Sequence, residues 1–167
     1  MRVVVADVTP LHYLIIIPAV QVLPHLFEKI HVPIRGPRGT NMIISCEAIP
    51  PLVRTWMEQP PQWLEVLTAP VVASEDSSLQ ALDLGERAAI LLAESINADL
   101  LLSDDRAGAI LAQRRGLAVT GTLGVLDLAS QAGLLRLQDA FVLLQKTYFR
   151  YPPSLMEVLL EQERSRK

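Results

Sequence analysis

Four acidic residues lie at the ends of predicted strands and at the beginning of a predicted helix, positions that an α/β fold can bring together. Asp7 follows the first apolar run of the chain, and Glu86 opens a helical segment rich in alanine and leucine. Asp104 and Asp105 follow a second apolar run, Leu100–Leu102. Ligands of such folds bind at the carboxyl ends of parallel strands. Carboxylates gathered there would hold a hard divalent cation, and such cations drive phosphodiester hydrolysis.

Two of these acids also have structural explanations. Asp7 suits an Asx-turn that leads into a helix capped by Thr9, with Pro10 at the first helical position. Glu86 has the spacing of a capping box with Asp83. Spacing alone does not separate these roles from metal binding.

The adjacent acids Asp104 and Asp105 must point in different directions. One can cap the helix that begins near Arg106 while the other faces the crevice, and Ser103 is a further capping candidate. The sequence leaves open which acid does which job.

Other chemistries are poorly supported by the residue types. Cys46 is the single cysteine, and the three histidines are scattered, so neither a disulfide framework nor a zinc cluster is indicated. Ligands that are all oxygen favour Mg²⁺ or Mn²⁺ over zinc.

The composition is that of one globular domain spanning residues 1–167. Half of the residues are apolar and 20% are charged, and the net charge of −3 does not indicate a strongly basic nucleic-acid binder. No signal peptide or membrane-spanning segment is evident, and we expect a cytoplasmic protein.

Hydrophobic patterns predict strands that alternate with helices, and therefore an α/β fold with a largely parallel sheet. The predicted strands are Val3–Ala6, Ile30–Val32, Trp63–Leu67, Leu100–Leu102 and Leu117–Thr120. The predicted helices are residues 10–17, 19–28, 47–58, 83–97, 106–115, 122–131, 137–147 and 154–164, with a helix or loop at 74–81. Residues 34–41, rich in glycine and proline, are predicted to form a loop.

Four motifs resemble those of PIN-domain proteins of the VapC-like ribonuclease group. They are Asp7–Leu11, Gly85–Ile90, Leu102–Arg106 and Gly121–Val125, and their order and spacing agree over almost the whole chain. The resemblance implies a three-layer α/β/α sandwich with a mainly parallel central sheet. The C-terminal helices from about residue 137 are expected to pack on it.

The resemblance also implies a Mg²⁺- or Mn²⁺-dependent endoribonuclease. Asp7, Glu86 and Asp105 match the first, third and fourth acids of the usual PIN site, with Asp104 as the neighbouring candidate ligand. Thr9 and Ser103 match supporting hydroxyl positions, and Arg106 is a candidate contact for the RNA backbone.

The second acid of the usual PIN site is missing from this chain. It should follow the strand that ends near Pro33, but no Asp or Glu occurs between Lys29 and Cys46. Glu47 is the first acid available and is a doubtful substitute. Loss of one ligand should lower the affinity for the metal and weaken the activity.

Two other functions remain open at this stage. The missing acid favours a catalytically inactive PIN-like module that binds RNA or protein. A haloacid-dehalogenase-like phosphatase would also use an Asp after the first strand, although Thr9 stands where it needs its second acid.

The resemblance further implies protein partners. VapC-like toxins pair with a small antitoxin and commonly form homodimers. The apolar segments Leu14–Ile17 and Phe141–Leu144 could supply a dimer surface, with packing in the core as the alternative.

Overall fold

The computed structural model describes residues 2–34, 50–70 and 76–166, and it contains a five-stranded sheet. Its strand order is β3-β2-β1-β4-β5, and every pair is parallel, as the alternating pattern predicted. The strands are β1 Val4–Ala6, β2 Ile30–Ile34, β3 Leu64–Thr68, β4 Leu100–Leu102 and β5 Val119–Thr120. Most of the predicted loop, together with Cys46 and Glu47, lies outside the described residues.

Nine helices lie within the described ranges, and the predicted helices are recovered with shifts of a few residues at their ends. They are α1 Val8–Ile16, α2 Val22–Phe27, α3 Pro51–Glu58, α4 Ser77–Gln80, α5 Leu84–Ser95, α6 Arg106–Arg114, α7 Thr122–Gln131, α8 Leu137–Leu144 and α9 Pro153–Ser165. Gly116 and Gly133 follow α6 and α7 with positive φ angles of 86° and 72°, a conformation that favours glycine. No helix among the described residues has the length and apolar character needed to cross a bilayer.

The sheet lies between two layers of helices because its side chains alternate between its faces. Val4 and Ala6 face a core built with α1, α2, α7 and α8. Val5 and Leu101 face a second core built with α4, α5 and α6. These layers give the predicted α/β/α sandwich.

The beginning of α1 differs from the prediction. Asp7, not Thr9, occupies the N-cap position, and Pro10 is the third helical residue. The Asp7 N–H donates to the Leu102 carbonyl at 2.9 Å, so pairing with β4 continues to Asp7 and the helix begins directly after it. Proline is tolerated there because the first four N–H groups of a helix have no acceptor within the helix.

The two apolar segments considered for a dimer surface contribute mainly to the core. Leu14 and Ile17 of the first segment are buried, as are Phe141 and Leu144 of the second. Two large apolar side chains of α8, Val142 and Leu143, remain exposed.

The strand order creates a crevice between β1 and β4. The chain runs from β1 to β2 and β3 on one side, then returns to β4 on the other side of β1. Ala6 pairs with Leu102, so Asp7 and Ser103 leave the sheet side by side at its carboxyl edge. Ligands of open α/β sheets bind at such a switch in strand order.

Candidate active site

Asp7 is a buried acid in the crevice, with 7% of its surface exposed. Burial raises the pKa of its carboxyl to about 6, and a hydrogen bond from the Val8 backbone opposes the rise. The charges of Asp83, Asp104 and Asp105 raise it further. Asp7 therefore lies within the electrostatic field of three other carboxylates.

Glu86 is fixed at the beginning of α5 by the predicted capping box. Its backbone N–H donates to Asp83 Oδ1 at 2.9 Å, and its Oε2 accepts from the Asp83 N–H at 3.2 Å. Burial raises the pKa of the Glu86 carboxyl to about 7, and the charges of Asp83, Asp105 and Asp7 add to the rise. The cap thus does not remove Glu86 from the site, because its carboxylate still lies among the other acids.

Asp83 is a member of the site that the sequence analysis treated only as a cap. A β-carbon at Gly85 would lie 3.4 Å from Asp83 Oδ1 and 3.7 Å from Asp7 Oδ1. Both carboxylates therefore approach the same side of the first turn of α5, and the lack of a side chain at Gly85 leaves room between them. The sequence signal for this placement is the capping position itself, which fixes Asp83 beside Glu86.

Asp105 caps α6 and faces Glu86. Its Oδ2 accepts from the Gly108 N–H at 2.5 Å. A β-carbon at Gly108 would lie 3.3 Å from Asp105 Oδ2 and 3.8 Å from the Glu86 β-carbon. The beginnings of α5 and α6 therefore bring these two acids to one place.

Asp104 is held by a different helix. Its Oδ1 accepts from the Thr122 N–H at 2.7 Å, and its Oδ2 accepts from the Thr122 hydroxyl at 2.6 Å. Burial raises the pKa of the Asp104 carboxyl, and the bonds from Thr122 oppose that rise. As predicted, one acid of the pair caps the helix that begins at Arg106, and that acid is Asp105. The bonds from Thr122 to Asp104 were not predicted.

The model of a PIN-domain family, DUF3368, matches residues 3–165. The chain belongs to this PIN-domain family. Neither the curated proteins nor the solved structures gave a significant match. PIN domains are typically nucleases, so the acids at the carboxyl edge of β1 and β4 are the natural candidates for that chemistry in this one.

The residues that were predicted to support the site occupy different environments. Ser103 is buried, and its backbone N–H donates to the Thr120 carbonyl at 2.9 Å. Thr9 is exposed in the first turn of α1, and Arg106 is exposed at the beginning of α6. Glu47, the doubtful substitute for the missing acid, lies outside the described residues.

The acids of this PIN domain are suitable ligands for a divalent cation, but their present arrangement is not that of a metal site. Their oxygens are hard ligands, and a bound cation would offset both the burial and the repulsion that raise the pKa values of Asp7 and Glu86. Within the described ranges, however, no three His, Cys, Asp or Glu side chains are arranged as a metal site. Each cap uses one oxygen, Oδ2 of Asp105 and Oε2 of Glu86. The second oxygen of each is therefore available to a cation while both caps persist.

Proposed function

We propose that this PIN domain is a divalent-metal-dependent endoribonuclease of the VapC toxin type. The observation that carries the proposal is the environment of Asp7. Its carboxyl is buried at the switch in strand order, with its pKa raised to about 6 among further acids. A strongly perturbed carboxyl in a ligand crevice is characteristic of functional sites.

Asp7, Glu86 and Asp105 would hold Mg²⁺ or Mn²⁺. When bound, the cation would lower the pKa of a water molecule and neutralise charge on the phosphate. The chain's own contribution is to fix the acids: Asp7 through its bond to β4, and Glu86 and Asp105 through their caps. Asp104 plays a positioning role, because both of its oxygens already accept hydrogen bonds from Thr122.

Asp83 is our candidate for the fourth acid. The usual second acid is missing between Lys29 and Cys46. Asp83 lies close to Asp7 across Gly85 and raises the pKa of both Asp7 and Glu86. If Asp83 supplies the missing charge, activity is weakened but retained.

Cleavage of RNA by the purified protein tests the proposal. We expect a single-stranded RNA to be cut with Mn²⁺ present and to stay intact with a chelator. Asp7→Asn should lower the rate by at least about a hundredfold, since it removes a ligand charge at the reacting centre. Asp139→Asn, on the exposed first turn of α8, is the matched control and should cleave like the unmodified chain. Equal cleavage by Asp7→Asn and the unmodified chain would rule out the assignment.

A non-catalytic RNA- or protein-binding PIN module is the second candidate. It is favoured by one observation, that no ready-made metal site occurs among the described side chains. RNA binding without cleavage at any Mn²⁺ concentration would support it. The family match gives no support to a haloacid-dehalogenase-like phosphatase.

The proposal extends to partners of the VapC type. A small antitoxin protein would bind the chain, the chain would form a homodimer, and both would act in the cytoplasm. Light scattering on the purified protein tests the dimer. A single species with the mass of one chain at high concentration would contradict it.

A further inference from the structure

A cavity of about 390 Å³ lies beside the acids, at the outer edge of the sheet. Its walls come from the end of β4, from β5 and the beginning of α7, and from residues 149–152 and α9. Asp104 lines it, so the cavity adjoins the proposed catalytic site. The other residues that matter to the argument are Phe149, Arg150, Tyr151 and Leu155.

Aromatic rings form one wall of this cavity. The rings of Phe149 and Tyr151 are nearly parallel, with an angle of 15° between planes and 6.3 Å between centroids. Tyr13 of α1 packs edge-on against Phe149 at 4.8 Å. Phe149 and Tyr151 are each only partly buried, so part of their surface remains accessible to a ligand.

Arg150, which lies between Phe149 and Tyr151 along the chain, adds a positive charge to the cavity wall. It is exposed, and it makes no hydrogen bond or ion pair within the part of the chain that the structure describes. Burial raises the pKa of the Tyr13 phenol, the Asp104 charge raises it further, and the Arg150 charge lowers it. Arg150 and Asp104 both line the cavity, and both act on the Tyr13 phenol, so the guanidinium lies near the acidic site.

We propose that this cavity binds one nucleotide of a single-stranded RNA substrate, with its base against Phe149 and Tyr151 and a flanking phosphate at Arg150. Unpaired bases stack on aromatic rings and arginine planes, whereas paired bases do not expose their faces. The cavity would deliver the adjacent phosphodiester to the carboxylates. This inference rests on the proposed ribonuclease function, because it names the substrate class of that site.

Binding of a fluorescein-labelled single-stranded RNA, followed by anisotropy in Mn²⁺ buffer, tests the proposal. Every protein carries Asp7→Asn, so the RNA stays intact whether or not the parent chain is a nuclease. Tyr151→Leu should weaken binding by about fivefold to a hundredfold, the usual cost of losing one base–aromatic contact. Arg150→Ala should weaken binding and reduce the slope of log K against log salt by about 0.7, whereas Arg150→Lys should keep the slope.

Arg114→Ala is the matched control for charge. Arg114 is exposed at the end of α6, and α6 runs from the carboxyl edge of the sheet to the opposite edge. Arg114→Ala should leave both the affinity for RNA and the slope of log K against log salt unchanged. A duplex of the same sequence should bind the Tyr151→Leu and parent proteins equally.

The proposal is overturned if Arg150→Ala and Tyr151→Leu bind single-stranded RNA as the parent does, or if the parent does not bind it. Cleavage is measured separately with Asp7 restored. If the cavity variants lose RNA binding and the chain with Asp7 restored does not cleave RNA, the cavity is supported as an RNA-binding site and the ribonuclease function is rejected. If the Arg150→Ala variant cleaves RNA with an unchanged KM, the role of the cavity in RNA binding is rejected and the ribonuclease function is kept.

Discussion

Replacing Asp7 by asparagine should stabilise the metal-free protein near neutral pH. The pKa of this carboxyl is about 6 in the folded protein against an ordinary value of 3.8. Between these values the folded protein binds more protons than the unfolded chain. Asp7 therefore makes the free energy of unfolding fall as the pH rises from about 4 to about 6, and its contribution then levels off.

The size of the fall follows from the pKa difference. Slightly more than two pH units correspond to about 3 kcal/mol. Asparagine cannot ionise, and its side chain has nearly the same size and shape as that of aspartate. We therefore expect Asp7→Asn to be about 1–3 kcal/mol more stable than the unmodified chain at pH 7 and no more stable at pH 4.

Urea unfolding at several pH values with a chelator present measures this. A shallower fall should persist in the variant, because the pKa of Glu86 is also raised, to about 7, and its carboxyl is more exposed. Asp139→Asn serves as the surface control. If the unmodified chain were as stable at pH 7 as at pH 4, or if Asp7→Asn were the less stable protein at pH 7, the buried-charge reasoning would be refuted.

The other predictions concern the carboxylates that bind helix termini. Asp105→Asn should keep the cap of α6 and lose RNA cleavage, whereas Asp105→Ala should also lose about 1 kcal/mol in urea unfolding; full activity of the asparagine variant would contradict this. Thr122→Val should leave the Asp104 carboxylate with one donor fewer and cost about 1–3 kcal/mol, measured the same way, and an unchanged unfolding midpoint would argue against that bond. Glu163→Ala should cost about 1–3 kcal/mol, because buried Glu163 accepts from a backbone N–H at the beginning of α8; a loss no larger than that of the exposed Glu161→Ala would refute it.

Local signals predicted most of the sheet and the acids that follow it. Apolar runs as short as Leu100–Leu102 sufficed, because a buried parallel strand is apolar on both faces. The capping box of Asp83 and Glu86 was also readable, since both of its members lie within one helical turn. Asp7 was placed correctly at the end of β1.

Long-range contacts escaped prediction for a physical reason. The bonds from Thr122 to Asp104 join residues 18 positions apart, and only the folded sheet brings α7 to that acid. The prediction of an N-cap at Thr9 is wrong because a hydrogen bond to β4 makes Asp7 the last extended residue before the helix. The approach of Asp83 to Asp7 likewise depends on how α5 packs against β1, which spacing within α5 does not reveal.

A crystal soaked in Mn²⁺ and measured for anomalous scattering tests the central claim most directly. We predict a peak at the carboxyl edge of β1 and β4, within about 2.0–2.6 Å of oxygens of Asp7, Glu86 and Asp105. Strong anomalous signal elsewhere, or none at all with the acids in their present positions, would contradict the claim that these carboxylates form the metal site of a nuclease.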